Sequence, residues 1–168
     1  GPQSLRVEDG LGRYNTAVGT NSGYYLTSGA FNVLAGNNAG FNLTTGGNNS
    51  FIGVSAGHST TTGAYNFFGG NRAGYFNTTG EYNVFSGADA GYSNTTATNN
   101  SGYGRNTLLF NQTGNYNVAL GSGSLRGSSG QSHSNNTAVG YGSGYEITTG
   151  GNNFFGGYRS GYSNTTGA

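Results

Sequence analysis

The run Asn15-Thr16-Ala17-Val18-Gly19 decides the fold, because both its ends return at one fixed interval. The Asn recurs every 17 residues, at Asn32, Asn49, Asn66, Asn83, Asn100 and Asn117, then at Asn136 and Asn153 after a two-residue insertion. The glycine four places on recurs with it, from Gly19 and Gly36 to Gly140 and Gly157. A constant short period is the mark of stacked repeats, each adding one unit that cannot bury its own apolar face. Places are counted below from this anchor Asn.

Working outward, place 8 is Gly in most copies (Gly23, Gly40, Gly57, Gly74, Gly91, Gly144, Gly161) and follows Ala or Ser. Place 9 is usually aromatic: Tyr24, Phe41, Tyr75, Tyr92, Tyr145, Tyr162. Copies close on Thr-Thr-Gly, as at Thr44-Thr45-Gly46. Regular glycines argue for turns, and neither intervening run has helical spacing, so each copy is predicted to be strand, turn, strand, turn. In the first strand places 1 and 3 share a face. Their sizes compensate, as in Phe67 with Gly69, Phe154 with Gly156 and Ser50 with Ile52. Place 2 is also apolar in most copies, so this strand is predicted to be buried on both faces, as parallel strands are. The second strand, rich in Asn, Ser and Thr, is predicted to be wet on one side. One face of the first strand fills the thin interior, and the other is predicted to be covered by another copy of the chain about a rotation axis. The nine anchors Asn15, Asn32, Asn49, Asn66, Asn83, Asn100, Asn117, Asn136 and Asn153 are predicted to form an amide ladder.

Composition narrows the function. The chain has 168 residues, of which 7% are charged, and a net charge of +1, so no basic footprint for nucleic acid or an anionic membrane exists. No apolar run approaches the roughly 18 residues that span a bilayer, so no membrane insertion by this segment is expected. Without cysteine there is neither a disulfide framework nor a thiolate metal site. Gly1-Pro2 reads as a cleavage scar, so residues 1–14 are taken as tag scar and lead-in, and 15–168 as one repeat array. Residues 122–134 hold the insertion, which is expected to bulge as a surface loop. The last copy stops in mid-array, and the chain is expected to be a segment of a longer polypeptide.

The run Asn136-Thr137-Ala138-Val139-Gly140-Tyr141-Gly142-Ser143-Gly144 resembles the Asn-Ser-Val-Ala-Ile-Gly-x-x-Ser repeat of YadA-like trimeric autotransporter heads. The whole copy, with its Ala/Ser-Gly-Tyr and Asn-Thr-Thr-Gly, is also similar to repeats of trimeric phage-tail-like fibres. The resemblance covers about residues 15 to 168, although the adhesin repeats run a little shorter than this one. It implies an all-β parallel β-roll, here a β-solenoid of nine 17-residue coils, assembled as a homotrimer at the cell surface or in an extracellular appendage. It carries over no catalytic residue.

The residues themselves offer no enzyme site. His58 and His133 do not recur, and Glu81, Asp89 and Glu146 fall at different places, so no catalytic set, metal site or cofactor is expected. Arg126 and His133, the titratable members of the insertion, are the candidate ligand-binding residues. The place-9 aromatics read either as a packed ladder under a turn or as a sugar-stacking stripe. The expected function is a structural and adhesive segment of a trimeric extracellular fibre, with a cell-surface glycan or protein receptor as its further partner. The alternative is an ice-binding β-solenoid with a Thr-bearing face, although adjacent Thr alternate and only one per coil can face outward. A disordered Asn/Gly/Tyr-rich segment is a third reading, opposed by the strict register.

Overall fold

A computed structural model describes residues 13–167, so the lead-in expected over residues 1–14 lies almost wholly outside the described residues. The chain is all-β, without helix among the described residues, and winds into a parallel β-solenoid of about eight turns. Nine three-residue strands, β1 (Thr16–Val18), β2 (Val33–Ala35), β3 (Ser50–Ile52), β4 (Phe67–Gly69), β5 (Val84–Ser86), β6 (Ser101–Tyr103), β7 (Val118–Leu120), β8 (Thr137–Val139) and β9 (Phe154–Gly156), form one sheet in chain order. Every pair is parallel with places 1, 2 and 3 facing their equivalents, so the insertion between β7 and β8 leaves the register intact. At about 4.8 Å per strand, the eight intervals make a rod about 38 Å long.

Each coil contributes one strand, not two. The Thr-Thr-Gly run is a bend: the N–H groups of Thr44, Thr45 and Gly46 all donate to the Thr61 carbonyl, at 2.9, 3.3 and 3.4 Å. Three successive donors converging on one acceptor curl the chain, whereas a strand would spread them along a ladder. The same device joins Thr27, Ser28 and Gly29 to Thr44. Coils are therefore hydrogen-bonded to one another well beyond the strands, as at Gly40 N–H to Ala56 O, 2.9 Å.

The interior is a single thin layer. Place 2 points inward and is buried as Leu34, Phe51, Phe68, Phe85, Ala119 and Ala138. Phe51, Phe68 and Phe85 stack face to face at 4.9 and 5.3 Å. Their rings lie over the place-8 glycines: a β-carbon at Gly74 would sit 2.5 Å from Phe68 Cδ2, and Gly74 holds φ +58, which costs glycine little. Place 11 faces the same interior from the Thr-Thr-Gly side. It is Leu26, Leu43 and Ile147 in some coils but Asn77, Asn94 and Asn111 in others, all buried. The side predicted to be wet thus carries inward amides, bonded to one another or to the backbone: Asn94 Nδ2 donates to Asn77 Oδ1 at 2.7 Å and Asn111 Nδ2 to Gly114 O at 2.7 Å, while Asn94 Oδ1 is left without a partner.

The anchor Asn column closes each corner. Asn66 Oδ1 accepts from the Asn83 backbone N–H at 3.0 Å and from Asn83 Nδ2 at 3.2 Å, and Asn83 Nδ2 also reaches Ala97 O at 2.7 Å. The pattern repeats from Asn15–Asn32 to Asn136–Asn153. The residue just before each anchor takes the left-handed conformation, even where it is bulky: Phe31 has φ 61, Tyr65 φ 58 and Tyr116 φ 58. Such residues cost of order 1 kcal/mol or more each and persist only where their surroundings hold them. Here the ladder bond to the next backbone N–H supplies that constraint.

Candidate functional site

Places 1 and 3 of every strand point away from the interior and form one long apolar face. It carries Val18, Val33, Ile52, Phe67, Tyr103, Val118, Leu120, Val139 and Phe154, all exposed in the isolated chain. The face predicted to be buried is thus open in a single chain, since only place 2 has the interior to fill. Size compensation along it is physical: the Phe67 ring folds over Gly69, where a β-carbon would meet Phe67 Cε1 at 3.0 Å, and Phe154 does the same over Gly156. No charged side chain and no Asn stands at any outward place of the nine strands, in a chain where Asn recurs throughout. Exposed aromatics flank this face: Tyr14, Phe31, Tyr65, Tyr82 and Tyr116 before the anchors, and Tyr141 and Tyr158 beyond the strands. Tyr14 stacks on Phe31 at 5.3 Å and Tyr65 on Tyr82 at 4.9 Å. The column before the anchor was missed in the sequence because it mixes Tyr and Phe with Asn48, Asn99, Asn135 and Asn152.

The place-9 side chains form a second stack. Tyr24, Phe41, His58, Tyr75 and Tyr92 follow one another at 4.8–5.4 Å, nearly parallel, and Tyr145 covers Tyr162 at 4.8 Å. His58 is one rung of this stack, and its burial lowers its pKa.

Arg126 and His133 are not brought together as a surface pair. Arg126 occupies place 9 of its coil and lies between Phe110 and Tyr145, with its guanidinium carbon 4.6 and 5.0 Å from the two ring centres. It substitutes for an aromatic rung by cation–π stacking. His133 is 2% exposed, inside the solenoid. Its carbonyl takes the ladder position that Gly114 fills one coil earlier, accepting from Asn117 Nδ2 at 2.8 Å, and its N–H donates to Asn111 Oδ1 at 3.1 Å. The stretch that leaves the coil is thus shorter than 122–134: Ser124, Leu125, Gly127 and His133 are buried, and Ser129, Gly130 and Gln131 are exposed.

Burial pushes the His133 pKa down to about 4, with a hydrogen bond to the Leu125 backbone carbonyl offsetting part of the effect. A base with a lowered folded pKa stabilises the fold above its unfolded value, near 6.5, and loses that contribution as pH falls toward 4. Across that window the chain is expected to lose up to about 3 kcal/mol through this residue. Urea unfolding at pH 7 and pH 4, for the parent and for His133→Gln, checks it. The variant should lose markedly less stability between the two pH values, and parallel losses would refute the assignment.

The Thr pairs divide as alternation requires. The first of each pair donates its hydroxyl to the next coil, as Thr44 Oγ1 to Thr61 O at 3.0 Å and Thr78 Oγ1 to Thr95 O at 3.0 Å. The second, Thr45, Thr62, Thr79, Thr96, Thr113 and Thr149, is exposed and makes a single file. The Asn77-Thr78-Thr79 sequon is closed to modification, since Asn77 is fully buried. Among the described residues no His, Asp or Glu cluster could hold a metal, and no helix is long and apolar enough to cross a membrane. No family model, no characterised protein and no solved structure matches the chain.

Proposed function

We propose that the chain is a non-enzymatic structural and adhesive segment of a trimeric extracellular fibre, in which three copies cover one another's outward strand faces. The observation that carries this reading is the outward face itself, free of charge and of Asn along the whole rod. Low strand propensity disfavours Asn on any strand, but large apolar side chains with no charge among them gain only from a dry contact between copies. Size supports the same occupant. With a polar rim that admits Asn37, Asn71 and Arg105 at place 5 and Asn48, Asn99, Asn135 and Asn152 before the anchor, exposed side chains alternate from one place before the anchor to five after it, about 20 Å of chain, along a rod about 38 Å long. That is roughly 760 Å², close to the ~800 Å² per partner of a stable interface. Three stiff solenoids about one axis give reach, and attachment to a cell-surface glycan or protein receptor is the use such a rod serves. The single file of outward Thr offers no two-dimensional array, so nothing in the geometry favours ice binding over this reading.

Sedimentation equilibrium tests it. The parent, 17.1 kDa per chain, should run as a trimer at micromolar concentration. The double variant Ile52→Glu/Tyr103→Glu, which puts charge on β3 and β6 where side chains already face solvent, should run as a folded monomer. A monomeric or dimeric parent would sink the proposal.

A further inference from the structure

The place-9 stack skips a rung. After Tyr92 the next coil offers Leu109, and the following one offers Arg126, so one face of Tyr92 has no ring partner. At this gap lies a cavity of about 250 Å³, lined by Arg72, Asp89, Tyr92, Asn106, Leu109 and Phe110. Its two walls differ. Tyr92, Leu109 and Phe110 make an apolar wall. Arg72, Asp89 and Asn106 make a polar one, because all three occupy place 6 of successive coils.

The polar wall is ordered. Arg72 forks onto Asp89, with Nε 2.8 Å from Oδ1 and Nη2 donating to Oδ2 at 2.9 Å, and its guanidinium carbon sits 5.1 Å from the Tyr92 ring centre. The hydrogen bond to Asp89 and its charge hold the Arg72 pKa above its ordinary value. An ion pair held by one hydrogen bond and resting on a ring is pre-organised, so less side-chain freedom remains to be lost when a ligand binds. The Asn106 amide makes no hydrogen bond among the described residues, whereas the equivalent Asn21 amide donates to Asn38 Oδ1 at 3.1 Å. The Asn106 amide is therefore free to serve as both donor and acceptor.

We propose that this cavity binds one neutral pyranose ring of a surface glycan. The ligand class follows from the walls: a sugar ring has an apolar C–H face to lay on Tyr92, Leu109 and Phe110, and a hydroxyl edge for the other side. There Asp89 Oδ2 accepts, Oδ1 being buried, while Arg72 and Asn106 donate. A charged ligand is disfavoured, since Arg72 and Asp89 already neutralise each other. The volume lies just below the roughly 300–1,000 Å³ of pockets that bury drug-sized ligands, which suits a single ring. None of the six lining residues stands on the outward strand face. The inference rests on the attachment half of the function proposed above and supplies its ligand class, but it needs only one chain.

Saturation-transfer NMR with the methyl glycosides of glucose, galactose, mannose and N-acetylglucosamine tests it, on protein whose oligomeric mass is measured in parallel. At least one glycoside should bind saturably in the millimolar range, with the strongest transfer to its ring C–H protons. Leu109→Tyr restores the missing rung and fills the gap, so binding should fall tenfold or more while the thermal midpoint does not drop. Asp89→Asn, which keeps the shape and removes the charged acceptor, should weaken binding at least threefold. Absence of saturable binding by all four glycosides would overturn the assignment, as would Leu109→Tyr binding as well as the parent. The mass measurement reads the fibre proposal separately, so a glycoside-binding monomer and a silent trimer are distinct results.

Discussion

Asn83→Leu is expected to lower the thermal midpoint by about 10 °C. Asn83 is fully buried, and each polar atom of its side chain has two partners. Its Oδ1 accepts from the Asn100 backbone N–H at 3.0 Å and from Asn100 Nδ2 at 3.3 Å. Its Nδ2 donates to Ala97 O at 2.7 Å and to Asn66 Oδ1 at 3.2 Å. Leucine matches the branching of asparagine and opens no cavity, and its bulkier methyls add some crowding to the polar loss. It leaves the Asn100 N–H without an acceptor and strips Ala97 O of its shorter bond, and neither lies where water can replace the partner. Each orphaned buried group costs about 1–3 kcal/mol, so the total is on the order of 4 kcal/mol. At roughly 2–4 °C per kcal/mol for a chain of this size, that gives the stated shift.

Position in the stack supplies the control. Asn153 makes the same kind of bonds, to Asn136 Oδ1 at 2.9 Å and Gly167 O at 2.7 Å, but it is only half buried and belongs to the last coil described. Water can take over there, so Asn153→Leu should cost no more than a third as much. In a solenoid, stability is a sum of coil and neighbour terms. Hydrogen exchange in Asn83→Leu should therefore quicken first around Asn100, where the coil interface is broken. Equal shifts for the two variants would mean that the ladder is decoration and the apolar layer alone holds the coils together.

What could be read in advance divides along physical lines. The coil period, the Asn column and the apolar character of the first strand all follow from residue types repeated at one interval. Parallel stacking in register then makes every coil test the same choice. The second run of each coil was harder. Asn77, Asn94 and Asn111 read as solvent-facing because isolated amides prefer water, yet inside the coil their Nδ2 groups find a neighbouring amide or a backbone carbonyl. Nor does a Thr-Thr-Gly triplet reveal by composition that its three N–H groups converge on one carbonyl. The surroundings of Arg126 and His133 were hidden for a related reason: both lie in the irregular copy, where the register by which a residue is placed is interrupted. Counted from the anchor, Arg126 falls at place 9 and joins the aromatic stack. His133 precedes the next anchor as Gly114 precedes Asn117, and so turns inward. The outward strand face was legible as apolar, because its compensating sizes need only alternation to be seen.

The second large effect concerns the interior. In coils with Phe at place 2, place 8 is glycine: Phe51 with Gly57, Phe68 with Gly74, Phe85 with Gly91 and Phe155 with Gly161. Coil six inverts the pair, with Gly102 on the strand and a buried Leu108 opposite, so the leucine takes the space a ring fills in the preceding coils. Gly102→Phe alone asks a ring and Leu108 to share one space. A β-carbon at Gly102 would already meet Thr107 Oγ1 at 2.8 Å and Phe85 Cδ1 at 3.3 Å. Overpacking commonly costs about 1–3 kcal/mol. A whole ring in a layer one side chain thick should exceed that, at roughly 4 kcal/mol, with a fall in midpoint of about 10 °C. The triple variant Gly102→Phe/Thr107→Ala/Leu108→Gly rebuilds the Phe85, Ala90, Gly91 set of the preceding coil and extends the ring stack by one member. It should melt within about 3 °C of the parent. Leu108 already tolerates φ 52, so the exchange to glycine relieves backbone strain and does not create it. The coupling between the strand and place-8 substitutions should thus reach about 3 kcal/mol, the upper end for residues in contact. If the single variant melted with the triple, the two places would not share one volume, and the core would owe its order to the backbone ladder instead of to paired side-chain sizes.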